Sequence, residues 1–433
     1  MAKPVMVIVG RPNVGKSTLF NRITGSSAAI VEDVPGVTRD RNYMDARWED
    51  KSFVVVDTGG FYAHPEENIF EQIKEQALFA VEEADLIIHL LDGKEGVNPF
   101  DRELADILRA SGKKVIWAVN KVDAPTREPR LYEFYSLGIE EPVAVSAATG
   151  YNLDELMDRA AALLPAYAGE EPTELPKVAV VGRPNTGKST LINSLLGKKR
   201  LLVSPVPGTT RDAIDSLCSY YGRKYLLIDT AGIRRKDRTG YSIERFAMVR
   251  AMRSIERADV CVVMIDATQG IVAEDQKIAG MVQKYEKGAV FVFNKWDLVA
   301  EPEAYRQRLT EDLERKLWFF SHAPVLTASG LERKRTTKLF PLIDGVMAER
   351  KKRIPTAELN RFAREIALPP AGGKKTKLLY MTQVGTEPPR FALFTNNPQG
   401  VKDAHLRHIE ARLRERYSFR GTPLRIIVRA RGQ

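Results

Sequence analysis

One stretch of this chain occurs twice. Residues 10–25 read GRPNVGKSTLFNRITG, and residues 182–197 read GRPNTGKSTLINSLLG; eleven of the sixteen positions are identical, at an offset of 172. Further blocks return at nearly the same offset. Pro35-Gly-Val-Thr-Arg-Asp40 reappears as Pro207-Gly-Thr-Thr-Arg-Asp212, and Asp57-Thr-Gly-Gly60 as Asp229-Thr-Ala-Gly232. Asn120-Lys-Val-Asp123 reappears as Asn294-Lys-Trp-Asp297. Solenoid repeats run about 20–50 residues, so a period this long duplicates a whole domain.

Each copy alternates short apolar runs with helical patterns. In the first, Val5–Val9, Phe53–Asp57, Leu86–Leu91, Val115–Asn120 and Pro142–Val145 predict strands. Leu19–Thr24, Ile69–Glu83, Pro99–Ala110 and Leu153–Leu164 predict helices between them. This alternation predicts an α/β fold, an open and mostly parallel sheet with helices on both faces. After the second copy the pattern changes to helix, two strands, helix, strand, a small α+β domain. The expected division is 1–165, a Pro/Ala/Glu-rich linker 166–176, then 177–350 and 351–433.

The formal net charge is +10, unevenly spread. Residues 1–170 carry 18 basic and 28 acidic side chains, residues 171–350 carry 30 and 22, and residues 351–433 carry 18 and 6. A last segment with so few acids predicts a polyanionic partner, RNA, contacted through the backbone. On the helix predicted at 403–417 the candidates are Arg407, Arg412, Arg414 and Arg416. The aromatic residues of this segment alternate in its strands and predict core more than base-stacking platforms. Basic clusters also stand at Lys198–Arg200, Arg234–Arg238 and Arg333–Lys338, the second directly after Asp229-Thr-Ala-Gly232.

Cys218 and Cys261, the two cysteines, lie in apolar stretches and are expected to be reduced core residues. No apolar run reaches the roughly 18 residues of a membrane span, and a strand and glycine loop begin where a signal peptide would lie. The expectation is a cytoplasmic monomer that does not enter membranes.

The repeated loops predict the chemistry. Gly10, Arg11, Pro12, Asn13, Val14, Gly15, Lys16 and Ser17 fit G-x-x-x-x-G-K-[ST], after a strand and opening a helix. Gly182, Arg183, Pro184, Asn185, Thr186, Gly187, Lys188 and Ser189 repeat it. Backbone N–H groups of such a loop wrap phosphates at a helix N-terminus. Lys16 and Lys188 are expected to reach the β- and γ-phosphates, and the hydroxyls of Ser17 and Ser189 to ligate Mg²⁺. Asn120, Lys121, Val122 and Asp123, with Asn294, Lys295, Trp296 and Asp297, select the base. A carboxylate accepts from guanine N1–H and its 2-amino group; adenine offers neither donor. GTP and GDP are therefore the expected ligands. Asp57 and Asp229 end apolar strands and are expected to hold Mg²⁺ through water. Thr58, Gly59 and Gly60, with Thr230, Ala231 and Gly232, follow them; Gly60 and Gly232 can approach the γ-phosphate. Thr38 and Thr210 stand in matching loops and can close on Mg²⁺.

These motifs, in this order, resemble those of the translation-factor-related GTPases. Two such domains followed by a small α+β domain resemble the Der (EngA) family of bacterial GTPases, over essentially the whole chain. The resemblance implies GTP hydrolysis, a KH-like C-terminal domain and a role in maturation of the large ribosomal subunit on its RNA and precursor particles. It also implies that Ser146-Ala147 contact the guanine ring, with Thr327-Ala328 as their looser counterpart. Ras-type GTPases place a water-orienting Gln after Asp-x-x-Gly; Phe61 and Ile233 stand there instead, so slow intrinsic hydrolysis is expected. In similar GTPases an Asn at the positions of Asn13 and Asn185 ligates K⁺, which implies K⁺ stimulation. A tRNA-modification GTPase is the alternative, but it needs a catalytic domain for which no segment is left. No Gly-x-x-Gly loop of the kind that clamps nucleotides in KH domains is present.

Overall fold

The computed structural model describes residues 3–26, 43–59, 69–165, 175–196, 202–205, 215–229, 243–366 and 377–430. Of the predicted site residues, Thr38, Gly60, Phe61, Thr210, Thr230, Ala231, Gly232 and Ile233 lie outside them. So do most of the expected linker and the clusters 198–200 and 234–238.

Two compact bodies form, one carrying the first sheet and the other carrying the second and third. In the first body the order is β1 (Val5–Val9), α1 (Lys16–Ser26), β2 (Tyr43–Trp48), β3 (Lys51–Asp57), α2 (Ile69–Glu83), β4 (Leu86–Asp92), α3 (Pro99–Ala110), β5 (Val115–Asn120), β6 (Val143–Ala144) and α4 (Leu153–Leu163). The sheet runs β2-β3-β1-β4-β5-β6. Only the β2–β3 pair is antiparallel. β1 and β4 bury every residue, as parallel strands covered on both faces must. Asn98 caps α3 through its side chain, which accepts from the Phe100 N–H, and Pro99 fits the first turn.

The second sheet repeats this plan: β7 (Lys177–Val181), α5 (Lys188–Leu196), β8 (Leu202–Pro205), β9 (Ser216–Tyr220), β10 (Arg223–Ile228), α6 (Ile243–Arg257), β11 (Val260–Asp266), α7 (Ala273–Lys284), β12 (Gly288–Asn294), α8 (Pro302–Lys316), β13 (Val325–Thr327) and α9 (Leu339–Lys351). Its order is β13-β12-β11-β7-β10-β9-β8, with β8 at the edge; the corresponding residues of the first copy, 30–33, lie outside the described ones. Where this copy has α8, the first has a 3₁₀ stretch over Pro125–Leu137. Pro129 lies inside that stretch and has no N–H to donate to an α-helical ladder, whereas α8 carries proline only in its first turn.

The last segment is α10 (Thr356–Glu365), β14 (Leu378–Gly385), β15 (Arg390–Thr395), α11 (Asp403–Tyr417) and β16 (Arg425–Ala430). β15 is central, antiparallel to β14 and parallel to β16. Leu359, Phe362, Met381, Phe391, Leu393, Ile409, Leu413 and Phe419 form its core. Phe391 and Phe394 of β15 are buried, as the alternation predicts, whereas Tyr380 of β14 stays exposed. Cys218 and Cys261 are buried free thiols, and burial pushes both up to about 12.

Candidate functional site

In both large sheets the chain crosses over at the first strand: β1 lies between β3 and β4, and β7 between β10 and β11. Such a switch point opens a crevice beyond the carboxyl ends of the strands. The loops 10–17 and 182–189 leave β1 and β7 at that point and turn directly into α1 and α5.

The two loops share one backbone shape. Asn13 and Asn185 adopt left-handed φ of 65° and 63°. Gly15 and Gly187 hold φ of 100° and 91°, and a Cβ on either would collide with the amide nitrogen of Asn120 or Asn294. The tight fit exists because those asparagines brace the loops. Asn120 Nδ2 donates to the Val14 carbonyl at 2.7 Å, and Asn294 Nδ2 to the Thr186 carbonyl at 2.8 Å. The first residue of the predicted base-reading motif is therefore a strut between that motif and the phosphate loop.

Lys16 lies almost buried and donates to the Gly10 and Arg11 carbonyls at 2.6 and 2.8 Å; Lys188 donates to the Arg183 carbonyl at 2.8 Å. Burial lowers the Lys16 ammonium to about 8, against the pull of Asp57. A Cβ built on Gly59 would lie 3.0 Å from Lys16 Cε, 3.1 Å from Asp57 Oδ1 and 3.5 Å from Ser17 Oγ. One ammonium, one carboxylate and one hydroxyl thus converge on a single point. Oxygen donors of this kind suit Mg²⁺.

Asp57 and Asp229 both end their sheet's β-hairpin but differ in setting. Asp57 Oδ1 accepts from the Gly59 N–H at 2.7 Å, while Thr58 Oγ1 donates to the Ile8 carbonyl at 2.7 Å. Asp229 has φ of 53°, and its N–H donates to buried Asp215 at 3.0 Å. Arg257 at the end of α6 holds Asp215 with both guanidinium nitrogens, at 3.2 and 2.5 Å. The first copy has Tyr43 and Glu83 at these two places, so this tether is private to the second.

Lys121 and Lys295, with φ of 67° and 62°, pair with the strand-end carboxylates of Asp92 and Asp266. Both carboxylates are held below their ordinary range by the lysine and by backbone N–H bonds, against burial. Their signal is present in the sequence, since Asp92-Gly-Lys-Glu-Gly96 recurs as Asp266-Ala-Thr-Gln-Gly270. Val122 is buried, and Trp296 rests against Tyr305 at 5.7 Å. Asp123 and Asp297 stay exposed at the rim, and Asp123 pairs with Arg127 at 2.6 Å.

The side chains of Arg11 and Arg183 turn away from the phosphate loop. Arg11 pairs with Glu95 at 2.5 Å and Asp101 at 3.3 Å, and Arg183 with Asp275 at 3.3 Å. Arg11 is held there by two carboxylates and Arg183 by one. The loop after the last strand of the second sheet is shifted by two residues from the expected register. Asn120 Oδ1 accepts from the Ala147 N–H at 2.9 Å, and Asn294 Oδ1 accepts from the Gly330 N–H at 2.8 Å. Ser146 Oγ accepts from the N–H three residues on, at Thr149, and Ser329 Oγ does so from Glu332. The counterpart of Ser146-Ala147 is therefore Ser329-Gly330. Thr327 is still paired in β13, and the Ala328 N–H bonds the Phe293 carbonyl.

Of the candidate RNA-facing arginines, Arg407 is exposed and Arg412 and Arg416 pair with Glu415 and Glu365. Arg414 is structural: it donates to Glu410 at 2.7 Å and to the carbonyls of Phe419 and Thr422 at 2.9 and 3.0 Å.

Phosphate loop, base-reading loop and strand-end aspartate, assembled twice at the switch points of two α/β sheets, define a tandem P-loop GTPase. The family model described as 50S ribosome-binding GTPase matches residues 5–121 and 177–295. A model described as the KH-domain-like C-terminal part of EngA bacterial GTPase enzymes matches residues 353–429. The chain belongs to the GTPase Der family. It is 50% identical to GTPase Der of Thermodesulfovibrio yellowstonii, over 98% of this chain and 99% of that one. It is 46% identical to GTPase Der of Moorella thermoacetica, over 99% of each. A solved structure of Era in complex with MgGDPNP and a piece of 16S ribosomal RNA aligns at 24% identity, over 60% of this chain and 94% of that one, with a TM-score of 0.31.

Proposed function

We propose that this GTPase is a nucleotide-driven switch in maturation of the large ribosomal subunit, acting as a cytoplasmic monomer and binding ribosomal RNA through its basic C-terminal half. The observation that carries this reading is the pairing of two nucleotide sites with a segment of 18 basic and 6 acidic residues that holds no nucleotide chemistry. The match to a 50S ribosome-binding family model supports it. Three separate apolar cores, within 6–164, 178–347 and 354–428, support domains at 1–165, 177–350 and 351–433.

At each site the carboxylate of Asp123 or Asp297 reads guanine N1–H and the 2-amino group. Ala147 and Gly330 anchor the loops beside the ring. Lys16 and Lys188 leave their carbonyl partners for the β- and γ-phosphates. During hydrolysis, water oxygen bonds to the γ-phosphorus as the bond to the GDP leaving oxygen breaks. Negative charge spreads over the transferring group, and the lysine and loop N–H groups stabilise it. Ser17 with Asp57, and Ser189 with Asp229, would hold Mg²⁺, which supplies charge neutralisation between the phosphates. Thr38 and Thr210 would complete that shell.

Asn13 and Asn185 are exposed, and neither side-chain amide makes a hydrogen bond among the described residues. Their oxygens suit K⁺, whose positive charge would serve where an arginine finger otherwise does. Hydrolysis is expected to run at least tenfold faster in KCl than in NaCl of equal strength, with Asn13→Ala and Asn185→Ala each removing one site's share. Equal rates in the two salts would overturn the K⁺ assignment. The switch is tested by sedimenting lysate with GDP or a GTP analogue: nucleotide-dependent migration with large-subunit particles is expected.

A further inference from the structure

A cleft of about 750 Å³ opens where residues 352–355 leave the second nucleotide-binding copy, beside the C-terminal end of α11. Five cationic side chains line it, against two carboxylates, Glu358 and Glu415. Two of the five build the wall. Lys352 donates to both Glu349 oxygens at 2.8 and 2.7 Å and to the Tyr417 carbonyl at 2.8 Å, and Arg414 is held as described above. Arg416 pairs outward with Glu365. Arg353 and Arg420 remain, exposed and with neither an ion pair nor a hydrogen bond among the described residues. Of the two carboxylates, Glu415 is taken by Arg412 at 2.7 Å. His322 lines the same cleft with its Nε2 buried and unpartnered among the described residues.

Like charges gathered round one cleft repel unless an anion enters. Guanidinium forks match phosphate oxygens two at a time. We propose that this cleft seats a backbone phosphate of RNA, gripped by Arg353 and Arg420 between the second nucleotide-binding copy and the C-terminal segment. This rests on the reading of the C-terminal half as RNA-binding and gives that reading a site. RNA is favoured over a free anion because the cleft adjoins the segment with 18 basic and 6 acidic residues, where a chain of further phosphates meets more positive surface. The position also links the RNA to a nucleotide-binding body through residues 352–355.

The test uses the full chain and a labelled large-subunit ribosomal RNA transcript, titrated across a salt series. Arg353→Ala with Arg420→Ala is compared with Arg361→Ala with Arg364→Ala, which removes two exposed charges from α10, and with the double Lys variant at 353 and 420. The cleft variant is expected to weaken binding at least tenfold and to flatten the salt slope by about 0.7, the value for one lost phosphate contact. The α10 variant is expected to lose far less, and the Lys variant to keep the slope. Equal losses in the cleft and α10 variants would mean diffuse attraction and overturn the site. Inorganic phosphate, followed by phosphorus NMR, separates the sources: phosphate binding lost in the cleft variant while RNA binding is untouched would make this a free-anion site and overturn the proposal. No RNA binding by the unaltered chain would bring down the wider reading as well.

Discussion

His89 sits wholly buried in β4 beside the first phosphate loop, with both ring nitrogens unpartnered among the described residues. Its ring meets Trp117 edge-on at 5.4 Å, and burial, reinforced by the nearby Lys16 ammonium, drives the imidazole down to about 3. The second copy places Val263 at the same register: Val9 pairs with His89, and Val181 with Val263. The fold therefore needs no polar atom there. Replacing His89 by Val is expected to raise stability by about 1–3 kcal/mol, since two unsatisfied nitrogens leave the core. The pH dependence has a definite sign. The unfolded chain binds a proton near 6.5 and the folded one only near 3, so stability falls as pH drops through that window, by up to about 1.4 kcal/mol per unit. Denaturant titrations at neutral and mildly acid pH should show a shallower decline for His89→Val; parallel curves would refute the account. At Gly330 a second residue-scale expectation follows from the shifted register. A Cβ there meets the Leu191 N at 3.2 Å and Asn294 Oδ1 at 3.4 Å, a tight but passable fit that Ala147 already makes in the first copy. Gly330→Ala should keep guanine-nucleotide binding within a few-fold, whereas Gly187→Ala should abolish it at that site. The glycines, lysines and asparagines of the loops were legible because their spacing is local. The register of Ser329-Gly330 was not, because it is set by a bond to Asn294, 36 residues away.

Among the elements, each phosphate loop is tied to the helix that follows the neighbouring strand of its sheet, β4 or β11. Arg11 pairs with Asp101 in the first turn of α3, and Arg183 with Asp275 in the first turn of α7. Both aspartates are fully buried, and burial raises both above the ordinary carboxylate range despite their arginines. The pair recurs in both copies, so it belongs to the architecture of the site. Removing one member of a buried pair strands the other charge, at about 3–5 kcal/mol. Asp275→Ala should therefore cost about 3 kcal/mol of stability in the second nucleotide-binding copy and weaken GDP binding there, while Asp275→Asn, which still accepts from the Val272 N–H, should cost less. An Asp275→Asn variant as stable as the unaltered chain would place the effect in the helix cap, whereas equal losses in the two variants would place it in the ion pair. Most elements were legible from periodicity: Ile69–Glu83, Pro99–Ala110 and Val115–Asn120 form as expected. β2 was missed because its residues, Tyr43–Trp48, mix polar and apolar side chains without a buried run. The arginine ties were missed because they join residues about 90 apart, which no local pattern reveals.

At the scale of the molecule, the C-terminal segment is joined to the second nucleotide-binding copy by contacts of several kinds. Glu286 receives Arg425 and, at 3.2 Å, Arg390, and the Glu387 N–H donates to the Arg350 carbonyl at 3.0 Å. The Ala289 N–H, at the start of β12, donates to the Gly421 carbonyl at 2.8 Å, and the Phe419 N–H donates to Glu349 at 2.7 Å. Backbone bonds into a central strand are lost only when that strand loses its order, so the second and third sheets should unfold as one unit. Calorimetry of the full chain is expected to show two transitions, one for the body of the first sheet and one for the body of the second and third. A ligand at 100 times its Kd stabilises the state that binds it by about 2.7 kcal/mol. GDP should therefore raise both transitions; with Lys16→Ala it should raise only that of the second body, and with Lys188→Ala only that of the first. Glu286→Ala should lower the second transition alone. A third transition, insensitive to GDP and assignable to residues 353–430, would show that the C-terminal segment is stable by itself and that these contacts only dock it.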